Sequence, residues 1–207
     1  TSVINNNNNN STVLYDNFYS NNNSWAVQNN DEATLEISNG KYYFEYKDVK
    51  GFTSTRIIDL DNTKDFKIEA SFQKINGIQN NGFGLVFGRE DGGNQNQFFI
   101  APSGSFAIDE YKDSKLNSLK NWTASSAIEK GNLGKNKLTI EKINSTYNFY
   151  INKTKVHTAY NLTFFGKRMG FVVFDKQKIA IDNISVTYLD QNIDNINTNL
   201  NFEKDLV

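Results

Sequence analysis

The stretch Asp65–Tyr111, DFKIEASFQKINGIQNNGFGLVFGREDGGNQNQFFIAPSGSFAIDEY, decides the fold. In its first segment Phe66, Ile68, Ala70 and Phe72 alternate with Lys67, Glu69, Ser71 and Gln73. A period of two makes one apolar and one wet face, as in a half-buried β-strand. The second segment, Gly82 to Arg89, puts Phe83, Leu85 and Phe87 on one face and Gly82, Gly84, Val86 and Gly88 on the other. Asn96 to Ala101 and Ser105 to Tyr111 follow, so the stretch reads as a four-strand meander joined by turns rich in Gly and Asn. A sheet with one apolar face needs a second layer against it. The bare glycine face has two readings: a groove floor where a sugar ring approaches backbone, or relief for a sheet bend or a bulky neighbour such as Trp25.

Upstream, Val13 to Phe18 is a strand-like entry, and Trp25 after a polar loop reads as a lid on the core. Ala33–Ser38 and Lys41–Tyr46 form a hairpin through Asn39-Gly40, which supplies the positive φ angles of a type I′ turn. Thr53 to Asp59 is a further strand. Downstream, the pattern breaks down from Lys112 to Gly134, which reads as a long loop carrying Trp122 and one short helical turn at Ala127–Lys130. Strands resume with Leu138 and Ile140, then with Tyr147, Phe149 and Ile151. Asn152-Lys153 closes the next hairpin; Lys is uncomfortable at positive φ, so a turn of another type is expected there. Met169–Phe174 is a continuous apolar run, as in a strand buried on both sides. In Lys178–Leu189 the apolar parity switches from Ile179 and Ile181 to Ile184, Val186 and Tyr188, which implies a bulge near Asp182-Asn183. The organisation expected is an Asn-rich leader or linker over 1–11, one sandwich domain over 12–189 and a polar tail over 190–207. The leader either joins an upstream domain or is a terminus of no consequence.

The 207 residues suffice for one sandwich with a full core. A net charge of −1 argues against an electrostatic nucleic-acid binder. The sequence contains no apolar run of about 18 residues, so no membrane insertion is expected. Without cysteine, disulfides and thiol chemistry are excluded, and the compartment stays open between a reducing cytosol and export, with an extracytoplasmic or cell-surface setting slightly favoured. The Asn-x-Ser/Thr triplets follow from the Asn-rich composition.

Glycoside hydrolysis needs two carboxylates on one sugar, about 5–5.5 Å apart for retention or about 6.5–9.5 Å for inversion. Asp109 and Glu110 are adjacent, so in a regular strand they face opposite ways, and Glu90-Asp91 lies in a turn. His157 is the single histidine, which leaves no material for a triad or a His-rich metal site. No catalytic residue is assigned. Oxygen donors for calcium are present at Asp91, Asn94, Asp175 and Asp182, with Asp91 and Asp175 as the candidate ligands, but no dense Asp-x-Asp spacing occurs. For a hydroxyl-rich ligand the candidate residues are Arg89, Asp91, Asn94, Asn96, Tyr111 and Trp122, with Gln97 beside them: planar amides and charges to bind hydroxyls, and rings to stack on a pyranose.

In order along the chain stand DNF…W, a GKYY strand, FKIEASF with GFGLVFGRED, NKLTIEK, YNFYINKTKV and GFVVFDKQKIAIDNISV. This succession resembles the concanavalin A-like lectin/glucanase superfamily, and within it the laminin-G-like and 3-keto-disaccharide-hydrolase-like jelly rolls. The resemblance implies an all-β antiparallel sandwich of two stacked sheets of six or seven strands, one concave, with glycans bound on the concave face or its rim. Glucanases of that superfamily carry Glu-x-Asp-x-x-Glu on one strand, which this chain lacks. The expected function is a non-catalytic recognition module for a glycan, without a cofactor or with calcium, appended to a larger assembly. The alternatives are a sandwich that docks a partner protein and a hydrolase of the 3-keto-disaccharide type.

Overall fold

The computed structural model describes residues 11–189. Of the leader expected over 1–11, residues 1–10 lie outside the described residues, as does the whole tail expected over 190–207. Fifteen strands follow one another: β1 (Thr12–Asp16), β2 (Gln28–Asn29), β3 (Ala33–Ser38), β4 (Lys41–Tyr46), β5 (Gly51–Ile57), β6 (Phe66–Gly77), β7 (Phe83–Arg89), β8 (Gln95–Ala101), β9 (Ser105–Lys112), β10 (Lys115–Ala124), β11 (Lys135–Ile143), β12 (Thr146–Ile151), β13 (Thr154–Tyr160), β14 (Arg168–Phe174) and β15 (Gln177–Tyr188). No helix occurs among the described residues. One sheet has nine strands in the order β13-β12-β11-β6-β15-β4-β3-β2, with β1 also on β15; the other has six, β10-β9-β8-β7-β14-β5. The architecture is an antiparallel jelly-roll-like sandwich. Its larger sheet exceeds the six or seven strands expected, through β1, the two-residue β2 and β13.

The decisive stretch is divided between the layers. β6 is not the first strand of a meander with β7; it lies in the nine-stranded sheet between β11 and β15, while β7 to β10 form the meander of the other sheet. The reason is on the β6 ladder. Ile68 pairs with Ile140 and Val186, and Ala70 with Leu138 and Ile184, so three strands present one apolar face. That face then packs on the Phe83, Leu85 and Phe87 side of β7, with Phe72 and Phe83 at 5.9 Å. Lys74 continues the buried row of β6, 1% exposed. Its Nζ donates to Gln177 Oε1 at 2.6 Å and to the Ile78 carbonyl at 2.7 Å, and burial pushes its pKa down to about 8.

Aromatic side chains lock the layers. Phe171 of β14 stacks on Trp25 at 5.1 Å and meets Phe18, Tyr42 and Phe72 at 5.8–6.3 Å. Trp25 is therefore a core residue, and its indole N–H donates to Asp16 Oδ2 at 2.8 Å. Tyr42 places its hydroxyl 2.7 Å from Ser54 Oγ and donates to the Ala26 carbonyl; burial raises its pKa to about 12. Each such side chain contributes roughly 1.5–3 kcal/mol by burial.

Three local expectations can be compared with the backbone. Asn39 and Gly40 have φ of 52° and 68°, as a type I′ turn requires. The β15 ladder slips between Ile181 and Asn183, the bulge signalled by the parity switch. The stretch 112–134 is not one long loop: β10 occupies Lys115–Ala124 and carries Trp122, and 126–128 is a turn without a helix. As an exposed edge strand with two register shifts against β9, β10 buries no continuous face, so its sequence shows no period.

Asn152-Lys153 corrects a further expectation. Both residues have positive φ, 49° and 72°, so the turn has left-handed geometry with an exposed Lys in it. A side chain there costs about 1–2 kcal/mol, partly offset by the entropy glycine loses on folding. Lys153→Gly is expected to stabilise the chain by a few tenths to about 1 kcal/mol in denaturant melts; unchanged or lower stability would contradict the turn geometry.

Candidate functional site

The six-stranded sheet has one face in the core and one turned away from the other layer. Leu85, Phe87, Phe98, Ile108, Phe171 and Val173 belong to the core between the sheets. Their alternates Val86, Gln97, Phe99 and Val172 point the other way, yet are only 0–3% exposed. Register aligns them in rows across the sheet: Thr55, Gly170, Val86, Gln97, Asp109 and Ser118 form one, and Thr53, Val172, Gly84, Phe99 and Ala107 the next. This explains the unbroken apolar run of β14. Among the described residues its second apolar face meets no third layer; it is the floor of a cleft.

The cleft has a volume of about 400 Å³, with Phe99, Phe174, Trp122, Tyr111, Asp109 and Lys50 among its lining residues. A continuation of about 310 Å³ shares Phe174 and Tyr111 and adds Thr53, Arg89, Gln95 and Gln97. Phe99 stands at the centre, 5.2 Å from both Trp122, edge-to-face, and Phe174. The glycines make room for it. A Cβ on Gly82 would sit 2.5 Å from Phe99 Cδ2 and 3.2 Å from Trp122 Cη2, and one on Gly84 would sit 2.2 Å from the Phe98 carbonyl oxygen. The bulky neighbour is thus Phe99, not Trp25, which lies on the other side of the sheet. Relief and groove are one arrangement here, because the ring accommodated is itself a wall of the cleft.

Gly88 has a different task. Its φ is 61°, and the β7–β14 ladder slips there, so that Arg168 pairs with Arg89 while Gly170 pairs with Val86. In an unbroken strand Arg89 would share the inward face of Phe83, Leu85 and Phe87; the bulge turns it onto the groove side. Its Nη1 donates to Gln95 Oε1.

Of the candidate ligand residues, Arg89, Tyr111 and Trp122 come together along this groove. Trp122 is 49% exposed and free to stack. Asp91 lies at the Arg89 end, in an ion pair with Arg168 (Nε–Oδ1 2.6 Å). Asn94 closes its own turn, donating to Glu90 Oε1 and accepting from the Asp113 amide. Asn96 is not brought into the groove: it faces the core side, fully buried, and donates to the Thr163 carbonyl. Parity separates it from Gln97, which lines the groove; among the described residues neither Asn96 Oδ1 nor Gln97 Oε1, both buried, has a hydrogen-bond partner. Phe99, Phe174 and Lys50 were missed as site residues. The signal was available in QFFIA and MGFVVF, whose apolar runs leave no polar face to meet water.

Asp91 and Asp175 do not form one calcium site. They stand beyond opposite ends of β7, Asp91 beside Arg168 and Asp175 accepting from Asn81 Nδ2 at 2.6 Å. No cluster of three acidic or histidine side chains able to hold a metal occurs among the described residues. Asp109 and Asp175 both line the cleft, but the ladders put three strand spacings and five residues between them, a backbone separation on the order of 20 Å. Glu110 is turned to the opposite face beside Asn96. His157 is half-buried on β13 of the other sheet.

No protein-family model matches the sequence, and no curated protein matches it either. Solved structures match in shape. The carbohydrate-binding module CBM66 from Bacillus subtilis superposes with a TM-score of 0.60 at 12% identity, over 79% of this chain and 94% of that one. The CBM2 module of the evolved Dit of Lactobacillus casei BL23 phage J-1 gives 0.60 at 13%, over 87% and 96%. The GH43 protein BlXynB from Bacillus licheniformis gives 0.59 at 14%, over 84% of this chain and 39% of that one. At these identities the likeness is one of fold: an all-β, jelly-roll-like sandwich. No helix among the described residues is long and apolar enough to cross a membrane.

Burial holds the Asp109 carboxyl above its ordinary 3.8, against a 2.9 Å hydrogen bond from Ser118 Oγ that lowers it. The folded chain therefore binds that proton more tightly than the unfolded chain, and stability falls as pH rises through the window above 3.8. Asp109→Asn is expected to melt higher than the parent at pH 7, with the gap closing as pH falls towards 3.8. A gap independent of pH in thermal melts would contradict this placement.

Proposed function

We propose that this chain is a non-catalytic recognition module of the concanavalin A-like lectin type, and that it binds a carbohydrate in the groove on the outer face of its six-stranded sheet. The observation that carries the reading is a pairing of opposites along one groove. A half-exposed Trp122 braced edge-on by Phe99 stands in the cleft, and the polar side chains of Arg89, Gln95 and Gln97 line its continuation, with Tyr111 and Phe174 common to both parts. A carbohydrate has the matching halves, apolar ring faces to stack and hydroxyls to hydrogen-bond. Asp109 and Tyr111 offer further oxygens on the same face. The non-catalytic part is supported by the wide separation of Asp109 and Asp175, against the 5–9.5 Å or so that two hydrolytic carboxylates span.

A glycan array followed by calorimetry tests the reading. The parent is expected to bind at least one glycan, and Trp122→Ala to weaken it by about tenfold or more with an unchanged far-ultraviolet spectrum. No binding across the array, or binding indifferent to Trp122, would overturn it. Turnover of the bound glycan would overturn the non-catalytic part. With an intact fold and no glycan bound, the exposed Leu116 and Trp122 of the β10 edge become a surface for a protein partner, the second reading.

A further inference from the structure

The groove is chemically uneven along its length, and this points to a class of sugar. In the part around Gln95 and Gln97, Arg89 is the one charged residue of the lining. Among the described residues it has no carboxylate partner; Asp91, the nearest acid in sequence beyond Glu90, is engaged by Arg168 across the ladder, and Glu90 accepts from Asn94. Gln95 holds the guanidinium through Nη1 alone, which leaves its other donors unassigned. Two features show that this placement is built. Gly88 spends its left-handed φ on the bulge that turns Arg89 to the groove, and the Gln97 side chain, 2% exposed and with no hydrogen bond at its Oε1 among the described residues, lines the same space. A guanidinium with free N–H groups takes a carboxylate in a two-pronged geometry. A side-chain amide offers a sugar hydroxyl both a donor and an acceptor.

We infer that the groove binds an acidic sugar, its carboxylate on Arg89, a neighbouring hydroxyl on the Gln97 side-chain amide and its ring towards the aromatic side chains of the cleft. The inference rests on the glycan reading above and narrows it to sugars bearing a carboxylate, uronate or sialate. Asp109 orients such a ligand. It lies one strand from Gln97, farther along the groove than the Arg89–Gln95 pair, where it accepts hydroxyls and repels a carboxylate placed the wrong way round.

Calorimetric titration of the parent chain with trigalacturonate, a glucuronate-terminated disaccharide and 3′-sialyllactose, each beside its methyl ester, tests this. At least one acid is expected to bind about tenfold or more tightly than its ester at low ionic strength, with the ratio shrinking as salt is added. Which acid does so separates uronate from sialate. Arg89→Gln should bring the ratio to about one, and Arg89→Lys should restore only part of it, with melting curves showing both variants folded. Esters bound as well as acids, in a manner dependent on Trp122, would overturn the inference and leave the glycan reading standing. An acid preference unaltered by Arg89→Gln would also overturn it. No glycan bound in any Trp122-dependent manner would remove both.

Discussion

Phe171 is the point at which the two layers are pinned. Trp25 stacks on it, Phe18, Tyr42 and Phe72 surround it, and the Trp25 indole is tied to Asp16 on the first strand. β14 is an interior strand of the six-stranded sheet, so fixing Phe171 inward fixes Gly170 and Val172 outward. The groove floor is therefore set by the core. A ring lost from this cluster would do more than leave a cavity worth about 3–5 kcal/mol; it would release the strand on which the outer face is built.

The outer face departs from the usual division of an antiparallel sheet into a dry and a wet side. Phe99, Phe174 and Trp122 cover glycines, and the buried Gln97 oxygen and the disfavoured Asp109 charge lie beside them. Each of these lowers stability locally. Residues that break the local rules of folding without gain to the fold are where a ligand is expected. Gly88 belongs with them: its bulge interrupts an otherwise regular ladder and reverses the direction of Arg89, while its carbonyl accepts from the Gly166 amide.

Alternation made the inward faces legible, because burying one face demands it: Phe66 to Phe72, Phe83 to Phe87 and Tyr147 to Ile151 all point where parity places them. Asn39-Gly40 and the parity switch in β15 were legible for the same local reasons. Which layer each strand joins was not, since alternation is blind to partners; β6 pairs with β11 and β15, and in the first case the paired residues, such as Ala70 with Leu138, lie 62 to 76 positions apart along the chain. β10 was illegible because an exposed edge imposes no pattern. Within the site, one residue of parity decides between Asn96, on the core side, and Gln97, on the groove side, and Arg89 escapes parity altogether through the bulge.

The chain holds two tryptophans in opposite circumstances, Trp25 sealed between the sheets and Trp122 at the groove. Their indole N–H signals in a ¹⁵N-labelled sample, followed while a glycan that binds is titrated in, report directly on where it sits. The account predicts that the Trp122 signal and the Gln97 side-chain amide move together and saturate with the binding curve, while Trp25 stays in place. A ligand that leaves Trp122 and Gln97 still, and shifts residues of the nine-stranded sheet instead, would contradict it.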